Sequence, residues 1–191
     1  MKGKRVVITG PTSGIGKEIA VQLAALGADL VLACRDVELG GRTAGDIARR
    51  TGSKSCVVMH LDTSSHDSIH DFATRYRAQH SRLDALVNNA GIHRSKRQTS
   101  VDGIELTFAT NVLGYHLLTR ELLDILHANA PARIVNVAST FAGNLDLSDL
   151  QFARRAYVGR EAYSQSKACN RMLTWALARR LLQRCGELGL L

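Results

Sequence analysis

Five short runs rich in Val, Ile and Leu, at residues 5–9, 29–33, 55–61, 84–88 and 133–138, alternate along the chain with longer amphipathic stretches. That alternation is the mark of βαβ units, in which a helix returns the chain so that each strand lies parallel to the last. The strand cores Val6-Val7-Ile8 and Ile134-Val135-Asn136-Val137 show little polar alternation, so both of their faces must be covered. The expected fold is α/β, with a parallel sheet between helices at 14–26, 37–51, 66–80, 101–129 and 160–185.

At 191 residues, 45% apolar and 22% charged, the chain is long enough for one substantial core, and residues 1–191 are expected to form one domain. No run of about 20 apolar residues exists to span a bilayer. The most apolar window, 20–34, is broken by Asp29. The opening Met1 to Arg5 leads directly into the first strand and leaves no room for a signal peptide. The expectation is a soluble, cytoplasmic protein without a membrane anchor. Cys34, Cys56, Cys169 and Cys185 are widely spaced, which suggests reduced thiols rather than a disulfide framework or zinc site. His60, His66, His70 and His80 have no ligand spacing and are read as surface groups, so no metal is expected. The net charge of +8 is scattered. Its densest run, His93-Arg94-Ser95-Lys96-Arg97, lacks interleaved aromatics and reads as a solvated loop, not a nucleic-acid surface.

Chemistry concentrates at the strand ends. Gly10, Gly14 and Gly16, with Thr12, Ser13 and Ile15 between them, fall where the first strand turns into the first helix. Glycines there let the main chain approach a pyrophosphate, whose charge the free N–H groups of the helix stabilise. After the second strand a NAD-selective site would place an acid, but this chain has Cys34 and then Arg35. A guanidinium suits a 2′-phosphate, so NADP is favoured, with NAD as the alternative. Tyr163 and Lys167 are four apart, which on a helix puts them on one face, one turn apart. An ammonium beside a phenol stabilises the phenolate and draws its pKa down from about 10, as proton transfer near neutral pH requires. Together these features suggest carbonyl and alcohol redox chemistry on a dinucleotide. Tyr115 and His116 are read as packing or surface residues, and Trp175 as a core or interface residue.

The ordered set Thr9-Gly10 to Gly16, Asn88-Asn89-Ala90-Gly91, Asn111-Val112-Leu113-Gly114, Ser139 and Tyr163-x-x-x-Lys167 resembles the short-chain dehydrogenase/reductase family over nearly the whole chain. The resemblance implies a Rossmann-type doubly wound parallel sheet and a catalytic tetrad of Asn111, Ser139, Tyr163 and Lys167. It assigns the proton transfer to Tyr163, and gives Lys167 both its tuning and the nicotinamide ribose. Ser139, which the family register favours over Thr140, orients the carbonyl oxygen, while Asn111 holds a water that links Lys167 to solvent. Asp62 is implied at the adenine, and Asn89, Ala90 and Gly91 on the adenosine side. Ala33-Cys34-Arg35-Asp36, Asp102-Gly103 and the 24 residues from Ser139 to Tyr163, about twice the separation in many members, resemble the retinol dehydrogenase and protochlorophyllide reductase-like branch. Residues 144–157 would then form a loop over the substrate side. Family dimers pair through long helices like those around Asn111 and Tyr163, so a homo-oligomer is implied.

Beyond Leu181 the family continues into two more strands and a substrate lobe, whereas here residues 182–191 follow, with Gly186 expected to cap the last helix. The sheet is therefore expected to lack those strands and to leave the fifth as an apolar edge. Two functions stand at this point. One is an NADP-dependent oxidoreductase acting on a small-molecule carbonyl or alcohol. The other is a non-catalytic Rossmann fragment that binds nucleotide or a partner chain.

Overall fold

The computed structural model describes residues 1–187, with side chains through Leu182. Its elements are β1 (Arg5–Thr9), α1 (Gly14–Ala25), β2 (Asp29–Cys34), α2 (Val37–Thr51), β3 (Cys56–His60), α3 (His66–Gln79), β4 (Ala85–Asn88), α4 (Leu106–Phe108), α5 (Gly114–Glu121), α6 (Leu123–Ala128), β5 (Arg133–Asn136) and α7 (Gly159–Glu187). The strands form one parallel sheet in the order β3-β2-β1-β4-β5. The order reverses between β1 and β4, where the carboxyl ends of the two strands diverge and leave a crevice.

Successive side chains of β1 point to opposite faces, and each face has its own core. Val7, with Val31 and Leu86 beside it, packs under Ile69, Phe72 and Tyr76 of α3, Leu118 of α5 and Leu122 between α5 and α6. Val6 and Ile8, with Leu30, Leu32 and Val87, pack under Ala20, Val21 and Ala24 of α1 and Ile47 of α2. The central strands are thus buried on both faces, as their unbroken apolar sequences require. The edges differ. β5 leaves Val135 46% exposed and β3 leaves Val57 43% exposed, so strand position, not composition, decides their burial.

Local chemistry sets the helix ends. The Asp36 carboxylate accepts from Leu39 N at 2.8 Å and starts α2, which closes on Gly52 in a left-handed conformation. Ser65 caps α3 through Ser68 N. At the foot of the sheet the buried Asp84 carboxylate joins β1 to β4, accepting from Arg5 N at 2.8 Å, Lys4 Nζ at 2.9 Å and Arg82 Nε at 2.7 Å. These partners hold its pKa well below the usual carboxylate range.

The single helix expected over 101–129 is instead assembled from pieces. Gly103 at φ 75 turns the chain, and the buried Glu105 carboxylate accepts from Thr107 N and Phe108 N, so α4 starts only at Leu106. A π-type turn, Ala109–Leu113, follows, closed by Gly114 N donating to the carbonyl of Ala109, before α5 begins. α7 continues through Gly186 to Glu187, so Gly186 does not end it, and residues 188–191 lie outside the described structure. His80 is not a surface group. It lies against Tyr76, pairs through Nδ1 with Arg5 at 2.8 Å, and burial lowers its pKa. No helix of the described residues is long and apolar enough to cross a membrane.

Candidate active site

The crevice over β1 and β4 opens into a cavity of about 900 Å³, within the size range of cofactor and ligand sites. At one end the chain turns from β1 into α1. Gly10 adopts φ 62, and a Cβ there would lie 2.8 Å from Ala90 Cα. A Cβ on Gly16 would overlap the Asn89 amide and Gly10 O, so only glycine lets the two strand ends touch. Thr9, a residue the sequence reading did not assign to the site, ties them together. Its hydroxyl accepts from both Asn89 N and Ala90 N at 2.9 Å, while Asn89 Nδ2 donates to the carbonyls of Thr9 and Gly10 at 3.0 Å. A Thr ending the apolar run Val6-Val7-Ile8, immediately before Gly10, was the available signal. Ser13 precedes α1 without a side-chain cap, so first-turn N–H groups remain for an anion.

Thr12, Ser13, Gly14 and Ile15 line the same cavity, as do Arg35, Asp62, Gly91, Ser139, Tyr163 and Lys167. Arg35 is exposed at its margin, and the neighbouring Asp36 carboxylate is engaged in starting α2. Asp62 reaches the cavity, yet its Oδ1 accepts from Ser64 N at 2.8 Å and Ser64 Oγ at 2.7 Å.

At the other end, α7 presents Tyr163 and Lys167 one turn apart. Tyr163 is half-buried, with its ring edge-on to His93 at 6.1 Å between centroids, a neighbour that no spacing in the sequence announces. Lys167 is 3% exposed and donates from Nζ to Val137 O at 2.8 Å. Its ammonium lies 5.7 Å from the Tyr163 ring centroid, and burial lowers its pKa to about 8. Ser139 follows β5, and its Oγ accepts from Phe141 N at 3.0 Å.

Asn111 does not line the cavity. It is fully buried behind Gly91, with Oδ1 accepting from Ile92 N at 2.8 Å and Nδ2 donating to Ile92 O and Ser166 Oγ at 3.0 Å. The π-type turn, by displacing the helix register, is what carries Asn111 there. The segment 144–157, expected over the substrate side, contributes nothing to the cavity lining. Buried Glu105 draws it away, since Tyr157 donates to its carboxylate at 3.2 Å and Glu105 N donates to Gln151 Oε1 at 3.2 Å. Gln165 of α7 adds a hydrogen bond to Leu150 O, and Phe152 is buried in the segment itself. Trp175 is 70% exposed, so it is not a core residue of this chain.

This arrangement, an open Gly-rich turn facing a Tyr and a Lys across a switch-point crevice, is that of a nucleotide-dependent oxidoreductase fold. The short chain dehydrogenase family profile matches residues 4–185. The chain belongs to that family. It is 43% identical to human retinol dehydrogenase 13 over 181 residues, covering 94% of this chain and 55% of that protein. It is also 43% identical to human retinol dehydrogenase 11, covering 95% of this chain and 57% of the relative. The chain therefore spans little more than half the length of these curated relatives. A solved structure from Mycobacterium paratuberculosis superposes with a TM-score of 0.81 at 36% identity, over 96% of this chain and 64% of that one. A metagenomic short-chain oxidoreductase in complex with NADP gives 0.76 at 30% identity, over 95% and 78%.

Proposed function

We propose that this chain is an NADP-dependent oxidoreductase that interconverts a carbonyl and an alcohol, with Tyr163, Lys167, Ser139 and Asn111 as its working residues. The observation that carries the reading is the shared cavity: Tyr163 and Lys167 open into the same space as the Gly10–Gly16 turn and Arg35. The cavity suits a dinucleotide, since two strand ends touch where only glycine fits and no side chain caps the first-turn N–H groups of α1, which leaves them to an anion. Gly10, Thr12, Ser13, Gly14, Ile15 and Gly16 would hold the phosphates. Asn89, Ala90, Gly91 and Asp62 would line the adenosine side. Arg35 would pair with a 2′-phosphate, and the prior engagement of Asp36 favours NADP over NAD.

When bound, the nicotinamide supplies or accepts the hydride. Tyr163 gives a proton to the carbonyl oxygen in reduction and takes it back in oxidation. Lys167 places a positive charge beneath the phenol, in a site dry enough for that charge to act strongly. Ser139 donates its hydroxyl proton to the same oxygen, while a lone pair on its Oγ accepts from Phe141 N. Asn111 braces the chain around Ile92 and Gly91, next to the lysine. On α7, Met172, Trp175 and Leu182 form an exposed apolar stripe that supports pairing with a second copy, which light scattering would test.

The deciding experiment measures NADPH and NADH binding by titration calorimetry, then NADPH consumption over a panel of small aldehydes and ketones. The reading expects tighter NADPH binding and turnover of at least one carbonyl. Nucleotide binding with no turnover across the panel would favour the non-catalytic alternative.

A further inference from the structure

Lys167 is a cation held where, among the described residues, no charged group offsets it. Burial alone pulls its pKa down to about 8, and its hydrogen bond goes to a neutral carbonyl, that of Val137. Two aromatic rings flank the ammonium. The Tyr163 centroid is 5.7 Å away on its own helix, and the Tyr115 centroid is 5.5 Å away on α5. Both lie inside the range of about 6 Å over which a ring face attracts a cation, and the attraction grows when the pair is desolvated. Tyr115 is 3% exposed, and its hydroxyl has no hydrogen-bond partner among the described residues. Burial, with Tyr163 nearby, keeps that phenol neutral far into the alkaline range. The position therefore uses the ring and not the hydroxyl.

We propose that Tyr115 is a positioning residue for Lys167, its π face holding the ammonium charged and in place beneath Tyr163 where no carboxylate does so. The inference rests on the reading of Tyr163 and Lys167 as the reacting pair. Around the ammonium stand Tyr115 from α5, Tyr163 from α7, the Val137 carbonyl after β5, and Gly91 with Asn111 behind it. Of these only the two phenols titrate, so a change at Tyr115 reads out on Lys167 without a third group in between. Losing the ring face should lower the Lys167 pKa by about one unit, a tenfold loss of proton affinity.

The test is an NMR titration of isotope-labelled lysine side chains, with Lys167 assigned by the signal missing from Lys167→Arg. Wild type and Tyr115→Phe should titrate together, since Phe keeps the ring. Tyr115→Met, which fills the space without a π face, should titrate about one unit lower. A trifluorinated phenylalanine in place of Tyr115 is nearly isosteric with Phe, and its weakened quadrupole should move Lys167 the same way, which covers the case in which the Met variant does not fold. In turnover, the decline of rate at high pH should move down by the same interval in the Met variant and return in Tyr115→Phe, whereas a purely structural role would lower the rate without moving the decline. An unmoved Lys167 titration in both the Met and fluorinated proteins overturns the proposal, even if the wild type reduces carbonyls well. A shifted titration in a protein that turns over nothing upholds Tyr115's role and refutes the oxidoreductase reading instead.

Discussion

Replacing Lys167 with methionine should make the protein more stable while abolishing its turnover. The lysine is 3% exposed, and its pKa falls from an ordinary 10.5 to about 8 through burial. At 1.36 kcal/mol per unit that difference corresponds to about 3 kcal/mol of penalty for carrying the charge into the fold. The sign follows from linkage. Below about pH 8 the group is charged in both folded and unfolded chains, so the penalty is fully present at neutral pH. Between about 8 and 10.5 the folded chain sheds its proton first, and the penalty fades to nothing. Methionine matches the length of the side chain and needs no proton, but it leaves Val137 O without its donor, which costs about 1 kcal/mol. The net expectation for Lys167→Met is a gain of about 2 kcal/mol at pH 7, or a rise in Tm of about 4–8 °C for a chain of this size, shrinking toward pH 10. Urea denaturation at a series of pH values measures it, with NADPH consumption in parallel. A variant that is less stable than wild type at pH 7, or whose gain does not depend on pH, would show that the ammonium is not paying a burial penalty at this site.

Tyr163→Phe removes only the hydroxyl and should leave NADPH affinity within about twofold while abolishing turnover, and a variant with most of the wild-type rate would refute the proton-transfer role. Arg35→Asp should change the ratio of NADPH to NADH affinity by at least about tenfold, because a charge-assisted contact worth about 1.5–3 kcal/mol becomes a repulsion; calorimetry with both nucleotides decides it. Asp84→Asn should cost about 2–3 kcal/mol in denaturant unfolding at pH 7, since the buried carboxylate gathers Lys4, Arg82 and Arg5 N. As the folded pKa of Asp84 is depressed, that contribution is present above the unfolded value of about 3.9 and is lost as pH falls below it, so wild type and variant should converge in acid. Equal stability at pH 7 would remove Asp84 from the account of how β1 meets β4.

The sheet was legible because its causes are local. Val6-Val7-Ile8 can only be a strand buried on both faces, and the Gly10 to Gly16 spacing marks where it must turn. Tyr163 and Lys167 were legible for the same reason, since helical geometry fixes what four residues of separation means. The readings that changed depended on contacts between distant segments. Nothing near 144–157 says that Glu105, 52 residues before Tyr157, will bind it and draw the segment off the cavity. Glu105 was likewise hidden as the start of α4, because the apolar period before it runs on as if the helix began sooner. His93 meets Tyr163 only through the fold, and an Asn at position 111 looks like a weak helix former until the π-type turn takes it inside.

Thr9 shows what such distance means for assembly. One hydroxyl at the end of the first strand receives two main-chain N–H groups from a step 80 and 81 residues later in sequence, and the glycine turn is packed against that same step. The Gly10–Gly16 turn therefore has no finished shape of its own. Although Gly10 to Gly16 is contiguous and short, its walls arrive only when β4 pairs beside β1, after the intervening β2 and β3 units have been looped out. A peptide made of β1, α1 and β2 would carry every residue of the glycine signature and still offer a pyrophosphate only a loose loop, so affinity for nucleotide should appear late and all at once, as a report that the central sheet has closed.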